Sequence, residues 1–178
     1  KDDFTSLAIK LRKGDRRAAE KLYEEFFNKV FGFCMNKTSN RTVAEDLTQD
    51  IFLKLVDRIE TFDEKRGHFL VWFWQLARNT VTDHYRKQRE IHFSDIEENK
   101  IEESAGRLSP ETLDSKIEME RIRDFLKSIS SEEKELFELH FVADLKYSDI
   151  SKILGKPEGN LRVAVSRLKE KIRKNFKP

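Results

Sequence analysis

The sequence predicts an all-α protein: two small helical domains joined by an acidic flexible linker, the C-terminal one a four-helix unit with a helix-turn-helix. Three observations carry this. Apolar residues recur at three- and four-residue spacing through both halves of the chain, and no strand-like alternation persists anywhere. Only six Gly and three Pro occur among 178 residues, of which 38% are charged and 38% apolar, a profile that favours soluble helical proteins. Charge is also laid out in blocks, with a net +3 over residues 1–90, −5 over 91–118 and +4 over 119–178. A length of 178 residues fits one large domain or two small ones, and fourteen Phe and two Trp supply bulk for their cores.

Leu7, Ile9 and Leu11 belong to a short first helix that ends near Gly14. Asp15 caps the second, whose broad apolar face carries Leu22, Phe26, Phe27, Val30, Phe31 and Cys34. A turn at NKTSN precedes a third helix over residues 41–60, with Val43, Leu47, Ile51, Leu55 and Ile59 spaced by four. The segment TFDEKRG, residues 61–67, breaks it, and a fourth helix runs from about His68 to Arg89. Residues 92–116 hold few large apolar side chains, too little surface to offset the entropy of ordering them, and read as the linker. A fifth helix is expected over residues 117–129 and a sixth from Ser131 to about Ala143, opened by a Ser130/Glu133 capping box. The proposed domains are therefore residues 1–91 and 117–178, with the linker over 92–116.

The last segment, YSDISKILGKPEGNLRVAVSRLKEKIRK, reads as helix, turn, helix. Tyr147, Ile150, Ile153 and Leu154 repeat at helical spacing, and Gly155 stands where a helix end favours a left-handed residue. Pro157 suits the first turn of the next helix, since its missing N–H would have no partner there. That helix buries Leu161, Val165, Leu168 and Ile172, leaving Asn160, Arg162, Val163, Ser166, Arg167 and Lys169 on its other faces. A tight turn followed by a cationic helix is how a DNA-binding helix-turn-helix fills a major groove. The alternative is an ordinary helical pair with a solvated basic face.

The fourth helix is aromatic where it begins and basic where it ends. Phe69, Phe73, Leu76, Ala77, Thr80 and His84 share one stripe, whereas Trp72 and Trp74 point apart, so both cannot be deeply buried. An exposed ring beside Arg78, Arg86, Lys87 and Arg89 is the arrangement that stacks unpaired bases while holding their phosphates. Other chemistries find less support. Cys34 is the single cysteine and reads as a core thiol, and no Cys/His spacing resembles a zinc site. A metal-dependent hydrolase using His68, His84, His92 or His140 with Asp83 would lack the i, i+4 histidine pair. Neither an enzyme, a cofactor nor a metal is expected. No apolar run approaches the ~20 residues of a membrane span, and the first residues hold no signal-peptide core, so a cytoplasmic protein is expected.

Three segments in order, AEDLTQDIFLKLV, FLVWFWQLARNTVTDHYRKQRE and SEEKELFELHFVADLKYSDISKILGKPEGNLRVAVSRLKEKIRK, closely resemble the extracytoplasmic-function (ECF) group of bacterial sigma factors. The resemblance covers about Ala8 to Phe176. Departures are small: Asp50 stands where the family usually has Glu, Lys146 and Lys156 where Ser or Thr is frequent, and Ala164 where a basic residue often falls.

The resemblance implies a sigma domain 2 over residues 1–91, a linker, and a sigma domain 4 over residues 117–178. It implies docking of the third helix on the clamp helices of the RNA polymerase β′ subunit through Asp46, Gln49 and Asp50, with Phe52 and Leu53 alongside. It places Arg78, Asn79, Asp83, Arg86 and Lys87 at the minus-10 element that is recognised and melted. The 61–67 loop, with Phe62, Asp63, Lys65 and Arg66, resembles one that pockets a flipped non-template base. Asn160, Arg162, Val163, Ser166 and Arg167 would face the minus-35 element, Arg162 at a guanine edge, with Lys169, Lys171 and Arg173 on phosphates. Core RNA polymerase (β′ clamp helices and β flap) and promoter DNA are the implied partners of a chain that is monomeric when free. An anti-sigma factor is a candidate third partner. The acidity of residues 95–103 suits mimicry of nucleic acid in a basic channel. The rival function is a stand-alone helix-turn-helix repressor or activator, which predicts a two-fold dimer on a palindrome.

Overall fold

The computed structural model describes residues 3–94, 121–122 and 124–176, without the side chains of 89–94. The linker residues 95–116 and the beginning of the helix expected over 117–129 lie outside the described residues. The chain divides into two compact units, Lys1–Gly106 and Arg107–Pro178. Every described regular element is helical.

In the first unit, α1 is Asp3–Arg12, α2 is Arg16–Thr38, α3 is Arg41–Arg58 with a 3-10 turn Ile59–Thr61, and α4 is Phe69–Ser94. Local chemistry sets the boundaries. Gly14 takes a positive φ of 83° between α1 and α2. The Asp15 carboxylate accepts the backbone N–H groups of Arg17 and Ala18 at 2.9 and 3.4 Å, and the Asn40 side chain accepts that of Val43 at 3.2 Å. Each cap satisfies donors that the first helical turn leaves without partners. α4 reaches Ser94 rather than stopping near Arg89, so it enters the stretch that composition assigns to the linker.

The core of this unit is aromatic. The ring centroids of Phe26 of α2 and Phe73 of α4 lie 5.1 Å apart, and Phe69 is stacked on Phe73 at 5.6 Å. Trp74 is fully buried, edge-on to Phe33 at 5.6 Å, and Trp72 is half-buried against Phe62 and Phe69. The divergence of the two indoles is thus resolved by placing one in the core and one at its edge. The Trp74 indole N–H has no hydrogen-bond acceptor among the described residues. Its desolvation costs about 1–3 kcal/mol, whereas burying the ring contributes roughly 4–6 kcal/mol, so packing wins. Cys34 is buried, as its apolar neighbours predict.

In the second unit, α5 comprises the helical residues 121–122 and 124–128, α6 is Ser131–Phe137, a π-helical turn spans Glu138–Val142, α7 is Tyr147–Leu154, and α8 is Glu158–Asn175. The Ser130 hydroxyl accepts the Glu133 N–H at 3.2 Å and the Glu133 carboxylate accepts the Ser130 N–H at 3.0 Å, a complete capping box. Asp144, with φ of 56°, ends the π turn, and Gly155, with φ of 66°, ends α7. Pro157 caps α8 from outside instead of lying in its first turn, its carbonyl accepting the N–H groups of Asn160 and Leu161. Leu161, Val165 and Leu168 bury the inner face of α8, and Phe125 of α5 packs on Leu168 and, edge-on at 5.6 Å, on Phe176.

The capping box makes a direct prediction. Replacing Ser130 by Ala should cost about 1 kcal/mol. In a unit of this size that lowers the melting temperature by about 4–8 °C. Scanning calorimetry of the full chain should show the loss in the C-terminal unit alone.

Candidate nucleic-acid and protein-docking surfaces

α3 buries Ala44, Leu47, Thr48, Ile51 and Leu55, which turns Asp46, Gln49, Asp50 and Leu53 outward together. Asp46 lies three and four residues before Gln49 and Asp50, and Leu53 three and four residues after Asp50 and Gln49, so the four form one continuous stripe. Leu53 is 63% exposed, whereas Phe52 is only 9% exposed and packs its ring 4.7 Å from that of Tyr23. Phe52 therefore supports the surface from below. A shallow apolar groove beside the stripe is lined by Leu11, Ala19, Tyr23, Phe52, Leu55 and Val56, with Glu20 and Glu24 of α2 at its margin. Tyr23 and Val56, both exposed, were not singled out by the sequence. Their sequence signal was only a large apolar side chain falling off the core stripe.

The 61–67 loop is anchored at both ends. Phe62 is 2% exposed, its ring 5.7 Å from both Phe69 and Trp72. This corrects the expectation that Phe62 belongs to the contacting part of the loop: its ring is a plug in the core. Arg12 of α1 donates to the Phe62 carbonyl at 3.0 Å and pairs with Glu64 at 3.1 Å. The Glu64 carboxyl is held below the usual carboxylate range by its own backbone N–H and then by the Arg12 guanidinium. Asp63 accepts the Lys65 N–H at 2.9 Å and pairs with Arg66 at 3.3 Å. Lys65 and Arg66 point to solvent on a loop whose backbone is held from beneath. Arg12 was not legible as part of this site, because its partners lie fifty residues away in sequence.

On α4 the residues Trp72, Asn79, Asp83 and Arg86 fall on one stripe by helical spacing, with Lys87 at its edge. Asn79, Arg86 and Lys87 are exposed, Asp83 and Arg78 half-buried, and Arg86 pairs with Asp83 at 3.4 Å. Because Trp72 packs on Phe62, the loop stands at the beginning of this stripe. The aromatic ring exposed nearest the basic end is Tyr85, whose hydroxyl donates to the Lys37 carbonyl at 2.7 Å. Burial pushes its phenol pKa up.

On α8, Asn160, Arg162, Val163, Ser166, Arg167, Lys169 and Arg173 are all exposed. The Arg162 guanidinium lies 3.5 Å from Glu158 and 5.0 Å from the centre of the Tyr147 ring, and the Lys169 ammonium 6.0 Å from that of Phe141. Lys171 differs from the rest. Its ammonium donates to Glu133 at 2.6 Å, tying α8 to the capping box of α6. Lys171 thus closes the fold, and a phosphate would have to compete with Glu133 for it. Lys156 is similarly paired with Glu132 at 2.8 Å.

Among the described residues no group of three or more His, Cys, Asp and Glu side chains could hold a metal, and no helix is long and apolar enough to cross a membrane. His84 lies edge-on to Tyr85 in the first unit and His140 stacks on Tyr147 in the second. The side chains of Arg89 and His92 lie outside the described residues.

Comparison with known proteins finds matches to the family models for sigma-70 region 2 over residues 22–91 and for sigma-70 region 4 over residues 119–172. Among curated proteins, the chain is 26% identical over 160 residues to the ECF RNA polymerase sigma factor BldN of Streptomyces coelicolor, covering 88% of this chain and 59% of that one. It is 24% identical over 164 residues to the RNA polymerase sigma factor YlaC of Bacillus subtilis, covering 90% and 93%. Among solved structures, CnrH in complex with the cytosolic domain of CnrY superposes with a TM-score of 0.69 at 18% identity, covering 96% of this chain and 94% of that one. The sigma factor RpoE in complex with the anti-sigma factor NepR from Bartonella quintana gives a TM-score of 0.63 at 22% identity, covering 89% and 96%. These two share the fold.

The Lys171–Glu133 contact has a pH signature. The hydrogen bond from Lys171, followed by that from the Ser130 N–H, lowers the Glu133 pKa from its ordinary 4.5. A lowered folded-state pKa means that the stabilisation is full above that ordinary value and is lost as pH falls through the lower one. Lys171→Ala should therefore destabilise the C-terminal unit by up to about 1 kcal/mol at neutral pH. The difference from wild type should shrink as pH falls through the Glu133 titration, which thermal melts across a pH series will show.

Proposed function

The chain belongs to the sigma-70 family, in its extracytoplasmic-function group, and from that membership we infer a factor that binds core RNA polymerase and directs promoter recognition, DNA melting and transcription initiation. The observation that best supports the mechanism is the division of labour among three helices. α3 carries an outward stripe of acids and Leu53, α4 carries an amide and cations beside an anchored loop, and α8 presents an open basic face after a glycine-ended turn. Binding and positioning, with no bond-making chemistry, account for all three. Domain 2 is assigned to residues 1–91 and domain 4 to residues 117–178, with 92–116 linking them.

In this mechanism Asp46, Gln49 and Asp50 meet a basic helical partner on the polymerase, the β′ clamp helices, and Leu53 adds apolar contact. Complementary charge of this kind fixes register and suppresses wrong partners more than it adds affinity. The 61–67 loop receives an extruded non-template base, offsetting part of the few kcal/mol that unstacking costs. A loop pinned by Phe62 and Arg12 loses little further entropy on binding. Asn79, with an exposed amide, and the cations Arg86 and Lys87 hold the strand junction at the minus-10 element. In domain 4, Arg162 reads a guanine edge and Lys169 and Arg173 meet phosphates, with the β flap of the polymerase as the second protein contact. An anti-sigma factor is a further proposed partner, supported by the solved RpoE complex, which carries the anti-sigma factor NepR. The activity places the protein where polymerase and DNA are, the bacterial cytoplasm. A stand-alone repressor would leave the α3 stripe and the α4 loop without a task.

Two outcomes test the inference. Reversing Asp46 and Asp50 to Lys should weaken binding to core polymerase on the order of ten-fold while leaving helicity and melting unchanged, since both are exposed and uninvolved in the core. A pull-down with unchanged affinity would remove these residues from the interface. Asn79→Ala should still permit promoter binding by the holoenzyme but slow strand opening roughly two- to ten-fold, the effect of one lost hydrogen bond. Permanganate footprinting follows it through thymine reactivity, and wild-type kinetics would count against the assignment.

A further inference from the structure

Arg162 does not stand alone on the recognition helix. Its guanidinium carbon lies 5.0 Å from the centre of the Tyr147 ring. Tyr147 is the first residue of α7 and is half-buried. Its ring also stacks on His140, with centroids 5.0 Å apart and planes inclined by 23°. His140 belongs to the π-helical turn Glu138–Val142, where its Nδ1 lies 3.3 Å from the Leu145 carbonyl and its ring meets Phe141 edge-on at 4.8 Å. Three elements therefore meet at one aromatic ring: the π turn, the start of α7 and the second turn of α8. A π turn changes the angular register of the side chains after it and is frequent at functional sites.

Base readout by arginine demands orientation as well as charge, because the two parallel hydrogen bonds to a guanine edge fix the plane of the guanidinium. A long exposed side chain would lose much rotamer freedom in meeting that demand. A ring face on which the guanidinium lies restricts it beforehand, and arginine favours such stacking. The alternative support, the Glu158 pair at 3.5 Å, is an exposed i, i+4 contact. Pairs of that kind contribute little, and a carboxylate is repelled from a phosphate backbone.

We propose that Tyr147 is a positioning residue for sequence readout: backed by His140 and the π-helical turn, it holds Arg162 in the orientation that reads a base edge, and so sets specificity without touching DNA. The proposal rests on the base-reading role of Arg162 given above. The test measures binding of the holoenzyme to a promoter library carrying every base pair at each minus-35 position, at two salt concentrations. Arg162→Ala identifies the base pair that Arg162 reads. Tyr147→Leu, which removes the ring face but keeps apolar bulk, should reduce discrimination at that same base pair by about two- to five-fold. It should leave the salt dependence unchanged, because no phosphate contact is removed. Tyr147→Phe, which keeps the ring, should retain full discrimination. Should Tyr147→Leu melt below the assay temperature, Tyr147→Met takes its place in the same comparison. Full discrimination by Tyr147→Leu where Arg162→Ala has lost it overturns the positioning role and leaves base reading by Arg162 intact. Unchanged preferences in Arg162→Ala overturn the base-reading role, and the positioning role with it.

Discussion

A helix that is locked on one face has no freedom left on the other, and each candidate surface on α3, α4 and α8 is the reverse of a core stripe. In the first unit the lock is the aromatic packing of Phe26, Phe69, Phe73 and Trp74 between α2 and α4. With Phe73 and Trp74 seated and Ala77 and Val81 buried further along, the rotation of α4 is fixed. Asn79, Arg86 and Lys87 then have to face outward. The same holds for α3, where Leu47, Ile51 and Leu55 turn the acidic stripe out, and for α8, where Leu161, Val165 and Leu168 do so for the basic face. Turning any of these helices by one residue, about 100°, would bury charge and expose core. The aromatic packing therefore sets the geometry of the surfaces as well as the stability of the unit.

Electrostatics work at shorter range. Arg66, Arg86, Lys156, Arg162 and Lys171 each pair with a carboxylate of their own unit. Such pairing lowers the local charge that a polyanion meets, and the overall formal charge is only +2. Binding phosphates would exchange one partner for another, so the gain per cation is smaller than for an unpaired lysine. A reader built this way depends on being held at its site by other contacts, which suits a factor whose affinity for promoters is supplied jointly with polymerase. Arg162 is distinct within this set, since the Tyr147 ring constrains its head independently of the carboxylate beside it.

What could be read from the sequence was local. The caps at Asp15 and at Ser130 with Glu133, the glycine end of α7, the apolar stripes of α2, α3 and α8, and the outward residues Asp46, Gln49, Asp50, Asn79 and Arg167 all depend on neighbours within about one or two turns. Helical periodicity and hydrogen-bond geometry determine such features from residue type and spacing alone. The tertiary structure decided what depends on distant partners. Phe62 is a core plug because Phe69 and Trp72 close over it, and Phe52 is covered because Tyr23 of another helix lies across it. Trp74 and not Trp72 is buried because α2 brings Phe33 to that side of α4. Lys171 belongs to the fold because Glu133, thirty-eight residues earlier, reaches it. A charge or a ring in a sequence states what it can bind, but its availability depends on which side chains the packed helices bring within a few ångströms, and no short-range pattern contains that information.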